Sequence, residues 1–217
     1  KFMSVTYGAG GSTQERTLQT TTQMVQAGHG PVAGHLTCVG ATKDAVNAVA
    51  QSYWNAGVKH IVALRGDPPE QGARFAPHPG GYAHATDLVA GLRSVAPFEI
   101  SVAAYPETHP EALTPQTDLD YLKAKIEAGA TRAITQFFFA PETFLRFRDK
   151  AVKAGITAEI VPGILPIASV AQAYKFAAMC GANVPEALKT RLDGLDARLL
   201  YTSPTPRIRQ KSSHASS

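Results

Sequence analysis

The sequence predicts an α/β fold, a parallel sheet wrapped by helices, on three observations. Short apolar, β-prone runs alternate strictly with amphipathic helical stretches, six of each, joined mostly by short turns. The central run Ile61–Leu64 is apolar at every position, the pattern of a strand buried on both faces. Polar residues gather where such runs end: Thr6, His35, Thr37, Arg65, Asp67, Tyr105 and Gln136. A (β/α) barrel spreads its site over many strand ends in this way. A dinucleotide-binding doubly wound sheet is disfavoured, because no GxGxxG follows the first strand. Six units are two short of eight, so the expected architecture is an incomplete (β/α)8, or TIM, barrel, cut at both ends.

Phe2–Tyr7 reads as the first strand and GAGG (8–11) as a plain tight turn, a weak match to a phosphate cradle. Ser12, with Glu15 three residues on, opens a helix to about Ala27. Val32–Val39 is the second strand. Thr42 then caps a helix whose Val46, Val49, Ala50, Tyr53 and Trp54 form a core stripe, and Gly57 ends it. After the central strand, Gly66–Tyr82 is long for a loop in a compact domain, as functional or disordered loops are. A helix over about Thr86–Val95 packs through Leu88, Leu92 and Val95, and Glu99–Tyr105 is the fourth strand. The next helix, about Asp118–Ala128, turns Leu119, Leu122 and Ile126 inward, with Asp118, Lys123 and Lys125 on its more polar side. Arg132–Phe138 is the fifth strand, and Pro141 opens a helix to Ala154. Ala158–Val161 is the sixth strand, and a last helix lies near Val170–Cys180.

With 44% apolar and 18% charged residues, the composition is that of one ordinary globular domain. No membrane span is predicted, and the opening KFMSVTYG lacks the features of a signal peptide, so a cytoplasmic protein is expected. Cys38 and Cys180 have no ligand spacing and are expected to be buried and reduced. The net charge of +4 comes from Arg198, Arg207, Arg209 and Lys211. Without them 17 basic residues face 17 acidic ones, so a nucleic-acid partner is not implied. These four lie in a segment, 197–217, rich in Ser, Pro and Arg, which reads as a disordered tail foreign to the domain of residues 1–196.

Arg65-Gly66-Asp67 places a guanidinium, a bare backbone and a carboxylate at one strand end, although a merely charged turn has the same composition. His35, mid-strand, alternates toward a barrel interior, where a hydrogen-bonded core histidine is the plainer reading. No histidine spacing fits a metal site, and residues 107–111 (ETHPE) would converge poorly on one, so none is expected. No GxSxG or Cys/His signature supports a covalent nucleophile. Asp118 and Lys125 share a helix face, with a solvated surface as the competing reading. The amide of Gln136 can donate and accept at once, which suits a heterocycle edge. Phe176 is by default a core residue.

Together the strings SVTYGA, HLTC, HIVALRGD, SVAAYPE with HPEA, RAITQFFF and PGILP make the chain, from Lys1 to about Asp196, similar to the methylenetetrahydrofolate reductase family in its bacterial single-domain form. The resemblance implies a (β/α)8 barrel holding FAD at its strand ends, and a ping-pong reaction. NADH or NADPH reduces the flavin and leaves. Then 5,10-methylenetetrahydrofolate binds, opens to an iminium on protonation at N10, and is reduced to 5-methyltetrahydrofolate, in one-carbon metabolism and methionine biosynthesis.

It further implies FAD contacts from Thr6, Tyr7 and Ala9, from His35, from Arg65, Gly66 and Asp67, and from Tyr105, His109 and Ala112. Asp118 and Lys125 match the positions that hold the ribose and phosphate portion. Tyr121 and Ala124 stand where some relatives have polar contacts, and Ala83–Ala85 where an aromatic–Ala pair touches FAD. Asp67 would lie by the pyrimidine edge of the flavin, tuning its potential and stabilising a cationic folate. Thr6, Gln136, Gln172 and Phe176 match substrate contacts, Gln136 for both nicotinamide and folate. Asp67 and Gln136 are thus the catalytic candidates in this chain. The family's general acid, a glutamate in an EFFPP-like strand, would lie upstream of Lys1, and the eighth strand and a folate-binding arginine would lie downstream. The chain alone is therefore expected to be weakly active or inactive, and its open strand edges to promote aggregation. A homo-oligomer is expected of the full-length parent. Two alternatives are a non-catalytic fragment and a flavin-free, phosphate-binding barrel lyase.

Overall fold

The computed structural model describes residues 2–6, 14–68 and 75–195. Among them six strands, β1 (Met3–Val5), β2 (Val32–Thr37), β3 (His60–Leu64), β4 (Glu99–Ala104), β5 (Arg132–Phe137) and β6 (Glu159–Gly163), form one sheet in sequential order. Every adjacent pair is parallel. The helices between them are α1 (Gln14–Gln26), α2 (Lys43–Asn55), α3 (Ala85–Val95), α4 (Pro115–Glu127) and α5 (Pro141–Lys153), followed by α6 (Val170–Cys180) and α7 (Glu186–Leu192). Sequential order with helical crossovers curls the sheet into an open (β/α) barrel, as expected.

The register sorts side chains strictly. Ile61 pairs with Ile100 and Ala63 with Val102, and all four are fully buried on the helix-covered face. Tyr53 of α2, Leu88 and Leu92 of α3, and Phe98 complete that core. The alternate residues face the concave side: His35 opposite Val62, Val62 opposite Ser101, and Ser101 opposite Arg132. At the amino-terminal mouth these groups form a polar layer. Arg132 meets Glu99 at 2.6 Å and Glu159 at 2.7 Å, and its guanidinium lies 5.3 Å from the Phe2 ring. His60 Nε2 lies 2.8 Å from Ser101 Oγ, with Phe2 edge-on to its ring.

Helix starts follow local chemistry. The hydroxyls of Thr42, Thr114 and Ser169 accept from the backbone N–H three residues on, at 3.2, 3.0 and 3.4 Å. The cap at Thr114 and Pro115 in the first turn start α4 three residues before the expected Asp118. Helix α7 was not expected from the sequence. β6 runs on to Gly163, two residues past the expected end, because Gly163 N–H donates to Thr135 Oγ1 at 2.9 Å beyond an irregularity in the β5 pairing. Phe176 is exposed rather than core, since α6 packs through Val170, Ala173 and Ala177. Both cysteines are free, and only Cys38 is fully buried; Cys180 is half-exposed. The GAGG turn, Ser12 and the 197–217 segment lie outside the described residues.

Two predictions follow from this packing. A Cβ on Gly34 would sit 2.7 Å from the ring of fully buried Tyr53, whose hydroxyl is held by His35 O at 3.1 Å. Gly34→Ala should therefore cost about 1–3 kcal/mol of stability in a denaturant melt. His60 is buried as the neutral imidazole, its pKa lowered chiefly by desolvation. With the folded pKa below the unfolded one, stability is complete above about pH 6.5 and falls as acid protonates the unfolded chain first. His60→Gln, measured by thermal melts from pH 7.5 to 5, should flatten that decline.

Candidate active site

The carboxyl ends of β3 and β4 and the start of α4 enclose a cleft of about 340 Å³. Its walls include Arg65, Gly66, Asp67, Tyr105, His109, Ala112, Asp118 and Lys125, eight residues singled out from the sequence.

The β3 end is fixed by its neighbour. Arg65 O accepts from Val39 N–H at 2.9 Å and from the Cys38 thiol at 3.5 Å. Gly66 has φ +85°, and a Cβ there would meet Val39 Cγ1 at 2.5 Å, so this turn requires glycine twice over. Asp67 is thereby left exposed at the cleft. The Arg65 guanidinium lies 2.6 Å from Glu111 and 4.3 Å from the ring of Phe75. Neither partner was foreseen for Arg65, because residues 46 apart meet only through the parallel arrangement. The bond from Arg65 holds the Glu111 carboxyl below its usual pKa. The long loop is partly anchored here as well: Gly80 O accepts from Lys43 N–H at 2.9 Å, and Tyr82 OH donates to Asn47 at 2.9 Å.

The β4–α4 loop is knit to itself. Thr108 takes the left-handed conformation, φ 77°, which costs a β-branched residue about 1–3 kcal/mol. Around it His109 N–H donates to Asp118 Oδ2 at 2.9 Å, and Glu111 N–H donates to His109 Nδ1 at 3.0 Å. That second bond makes Nδ1 the acceptor and leaves the proton on Nε2. Burial, then the positive charge of Arg65, lowers the His109 pKa and keeps the ring neutral. Tyr105 packs edge-on against it, with centroids 4.5 Å apart. Burial, then the charges of Asp67 and Asp118, push the Tyr105 hydroxyl up to about 12, so it remains a proton donor.

Asp118 and Lys125 do not lie on a solvated surface. Lys125 is enclosed, its Nζ donating to Ala103 O at 2.6 Å. Desolvation lowers its pKa to about 8 against the opposing pull of Asp118. Its apparent place on a polar helix face misleads because α4 turns that face to the strand ends.

Other named residues lie outside this cleft. Gln136 lines a small adjoining hollow with Tyr105 and Cys180. Its Oε1 accepts from Phe137 N–H at 3.0 Å, which leaves the amide N–H₂ to donate. His35 is half-buried, its pKa lowered by desolvation. Thr6 is exposed at the end of β1, and Gln172 and Phe176 are exposed on α6. Tyr7 and Ala9 lie outside the described residues. Among the described residues, no group of three or more His, Cys, Asp or Glu could hold a metal ion. No described helix is long and apolar enough to cross a membrane.

The fold and cleft define a (β/α)-barrel protein with a charged, aromatic-lined site at its strand carboxyl ends. Among solved structures, the chain superimposes with a TM-score of 0.53 on oxaloacetate acetylhydrolase, at 13% identity over 82% of this chain and 72% of that one. It superimposes equally, at 0.53, on 2,3-dimethylmalate lyase, with 11% identity over 90% of this chain and 80% of that one. At such identities the likeness is one of fold.

Residues 1–198 match the family model for methylenetetrahydrofolate reductase, and the chain belongs to that family. It is 51% identical over 197 residues to 5,10-methylenetetrahydrofolate reductase of Escherichia coli, covering 90% of this chain and 64% of that protein. The figures for the Pectobacterium carotovorum enzyme are 50% over 196 residues, with the same coverage. For Methylenetetrahydrofolate reductase (NADH) 1 of Arabidopsis thaliana, identity is 36% over 203 residues, 88% of this chain and 34% of that one. The chain thus spans about 64% of the length of these bacterial relatives.

The buried ammonium yields a prediction. Below about pH 8 Lys125 carries its charge, and above it the charge is lost. Affinity for an anionic nucleotide should therefore fall as pH rises from 7 to 9.5, measured by equilibrium titration. Lys125→Met should bind about tenfold more weakly at pH 7, with a flat profile above pH 8.

Proposed function

We propose that this chain forms the larger part of a flavin-dependent reductase that converts 5,10-methylenetetrahydrofolate to 5-methyltetrahydrofolate with NADH or NADPH. The observation that carries this reading is the convergence of Arg65, Asp67, Tyr105, His109, Asp118 and Lys125 on one cleft in a chain of this family.

The residue set fits FAD. Arg65 and Lys125 offer cations for phosphate oxygens, and Asp118 offers an acceptor for a ribose hydroxyl. The backbone of Gly66 permits close approach, and Ala85, Ala103 and Ala112 leave room for a long ligand. FAD, when bound, relays a hydride from the nicotinamide to the folate.

The chain's own groups set the environment for that chemistry. Asp67 provides a negative charge that favours a cationic folate over its neutral precursor. Tyr105 stays protonated in the same cleft and so can donate a hydrogen bond to a ligand. Gln136, whose Oε1 is engaged by Phe137 N–H, keeps its amide N–H₂ as a donor for the edge of a pteridine or a nicotinamide amide. On this reading the proton donor for N10 is the glutamate of the family's EFFPP-like strand, which matches no residue of this chain.

The reading is tested by titrating the purified chain with FAD, followed by anaerobic addition of NADH. Saturable flavin binding and bleaching by NADH are expected. A chain that excludes FAD yet binds small phosphorylated acids would favour the barrel-lyase alternative. Asp67→Asn should retain flavin but raise its reduction potential, on the order of 30 mV for a carboxylate charge removed next to the ring. Equilibration against a reference dye measures that shift.

A further inference from the structure

A second cavity, of about 220 Å³, lies between the β4–α4 loop, the first turns of α4 and one face of α5. Tyr105 and Asp118 line both this cavity and the cleft described above, and so form the partition between them. The rest of its wall takes no part in the flavin reading. Leu119, Phe147 and Pro106 give it an apolar floor. Glu107 stands on one side, from the loop, and Arg146 and Lys150 on the other, from α5. Thr108, with its left-handed backbone, lines this cavity and not the cleft. Backbone strain of this kind concentrates in loops that hold ligands.

The charged groups around the cavity are uncommitted. Arg146 and Lys150 lie four residues apart, hence side by side on the helix. Among the described residues, no carboxylate stands within 4.0 Å of either. Arg146 makes a long bond, 3.4 Å, to Thr143 Oγ1. Two like charges one turn apart repel each other, and an anion placed between them relieves that repulsion. Opposite them, Glu107 accepts from Asn183 N–H through Oε2 at 2.9 Å, and its Oε1 has no hydrogen-bond partner among the described residues.

Opposite charges on facing walls over an apolar floor call for a ligand of three parts. An anionic head suits Arg146 and Lys150, a cationic head suits Glu107, and an apolar body suits the floor. A dry cavity of about 150 Å³ holds a benzene ring, so this one takes a single ring with a short polar head and excludes a dinucleotide.

We propose that this cavity is a binding site for a free α-amino acid with an apolar side chain, separate from the cleft at the β3 and β4 ends. The ligand's carboxylate pairs with Arg146 and Lys150, its ammonium with Glu107 Oε1, and its side chain lies on Leu119 and Phe147. The site stands apart from the flavin reading, in which Glu107, Arg146 and Lys150 have no role.

Calorimetric titration of the chain at neutral pH with L-phenylalanine, 3-phenylpropionate and phenethylamine provides the test. The first ligand carries both heads, the second lacks the ammonium and the third lacks the carboxylate. Saturable binding of L-phenylalanine is expected, about tenfold tighter than that of either analogue. Glu107→Gln keeps an acceptor for Asn183 N–H and removes the charge. It should weaken L-phenylalanine about tenfold and change 3-phenylpropionate less than about twofold. Arg146→Gln or Lys150→Gln should do the converse, weakening both carboxylates about fivefold and sparing phenethylamine. Both cations are exposed, so these variants keep the fold, and either one suffices. The proposal is overturned if L-phenylalanine shows no saturable binding, if either analogue binds as tightly, or if none of the substitutions moves its affinity.

Discussion

The alternation of side chains across a wholly parallel sheet is the constraint on which the rest of this structure depends. Ile61, Ala63, Ile100 and Val102 are held against the helices, and this fixes the register of β3 with β4. A slip of one residue would send the buried set into the cavity and the polar set into the core. The same register delivers His35, Ser101, Arg132 and Gln136 to the concave side. Core packing and site placement are therefore one event, not two.

The concave face is divided by height. At the amino-terminal mouth, Arg132 is ion-paired with Glu99 and Glu159, and His60 is hydrogen-bonded to Ser101. At the carboxyl end, polar groups point into open space, and the loops that hold them are the strained and specialised ones. Gly66 and Thr108 both take left-handed backbone, one at the β3 end and one in the β4–α4 loop. Thr108 carries a real penalty, offset by the bonds that converge on His109 from Asp118 and Glu111. The charged cleft thus sits at the carboxyl ends of the strands, away from the ion-paired mouth.

Much of this was legible beforehand. The β3 run, the Thr42 cap with its core stripe, and Pro141 at a helix start identified elements to within a residue or two, because each rests on local chemistry. The strand-end positions of Arg65, Asp67 and Tyr105 likewise follow from where apolar runs stop. The fate of Lys125 was less accessible, since a lysine two turns from an aspartate reads as solvated until the helix is docked. Phe176 erred in the other direction. Helix α6 packs through Val170, Ala173 and Ala177, and the Phe176 ring stays at the surface.

By itself, then, the sequence determined the order and kind of the elements through α6, the family, and which residues stand at strand ends. These depend on propensity, periodicity and short strings that act within a few residues of one another. Only the tertiary structure decided that Glu111 would reach Arg65 and that Lys125 would be enclosed against Ala103 O. Such pairings join residues tens of positions apart, and their geometry is set by how adjacent βα units curl around the barrel axis, which no local pattern encodes.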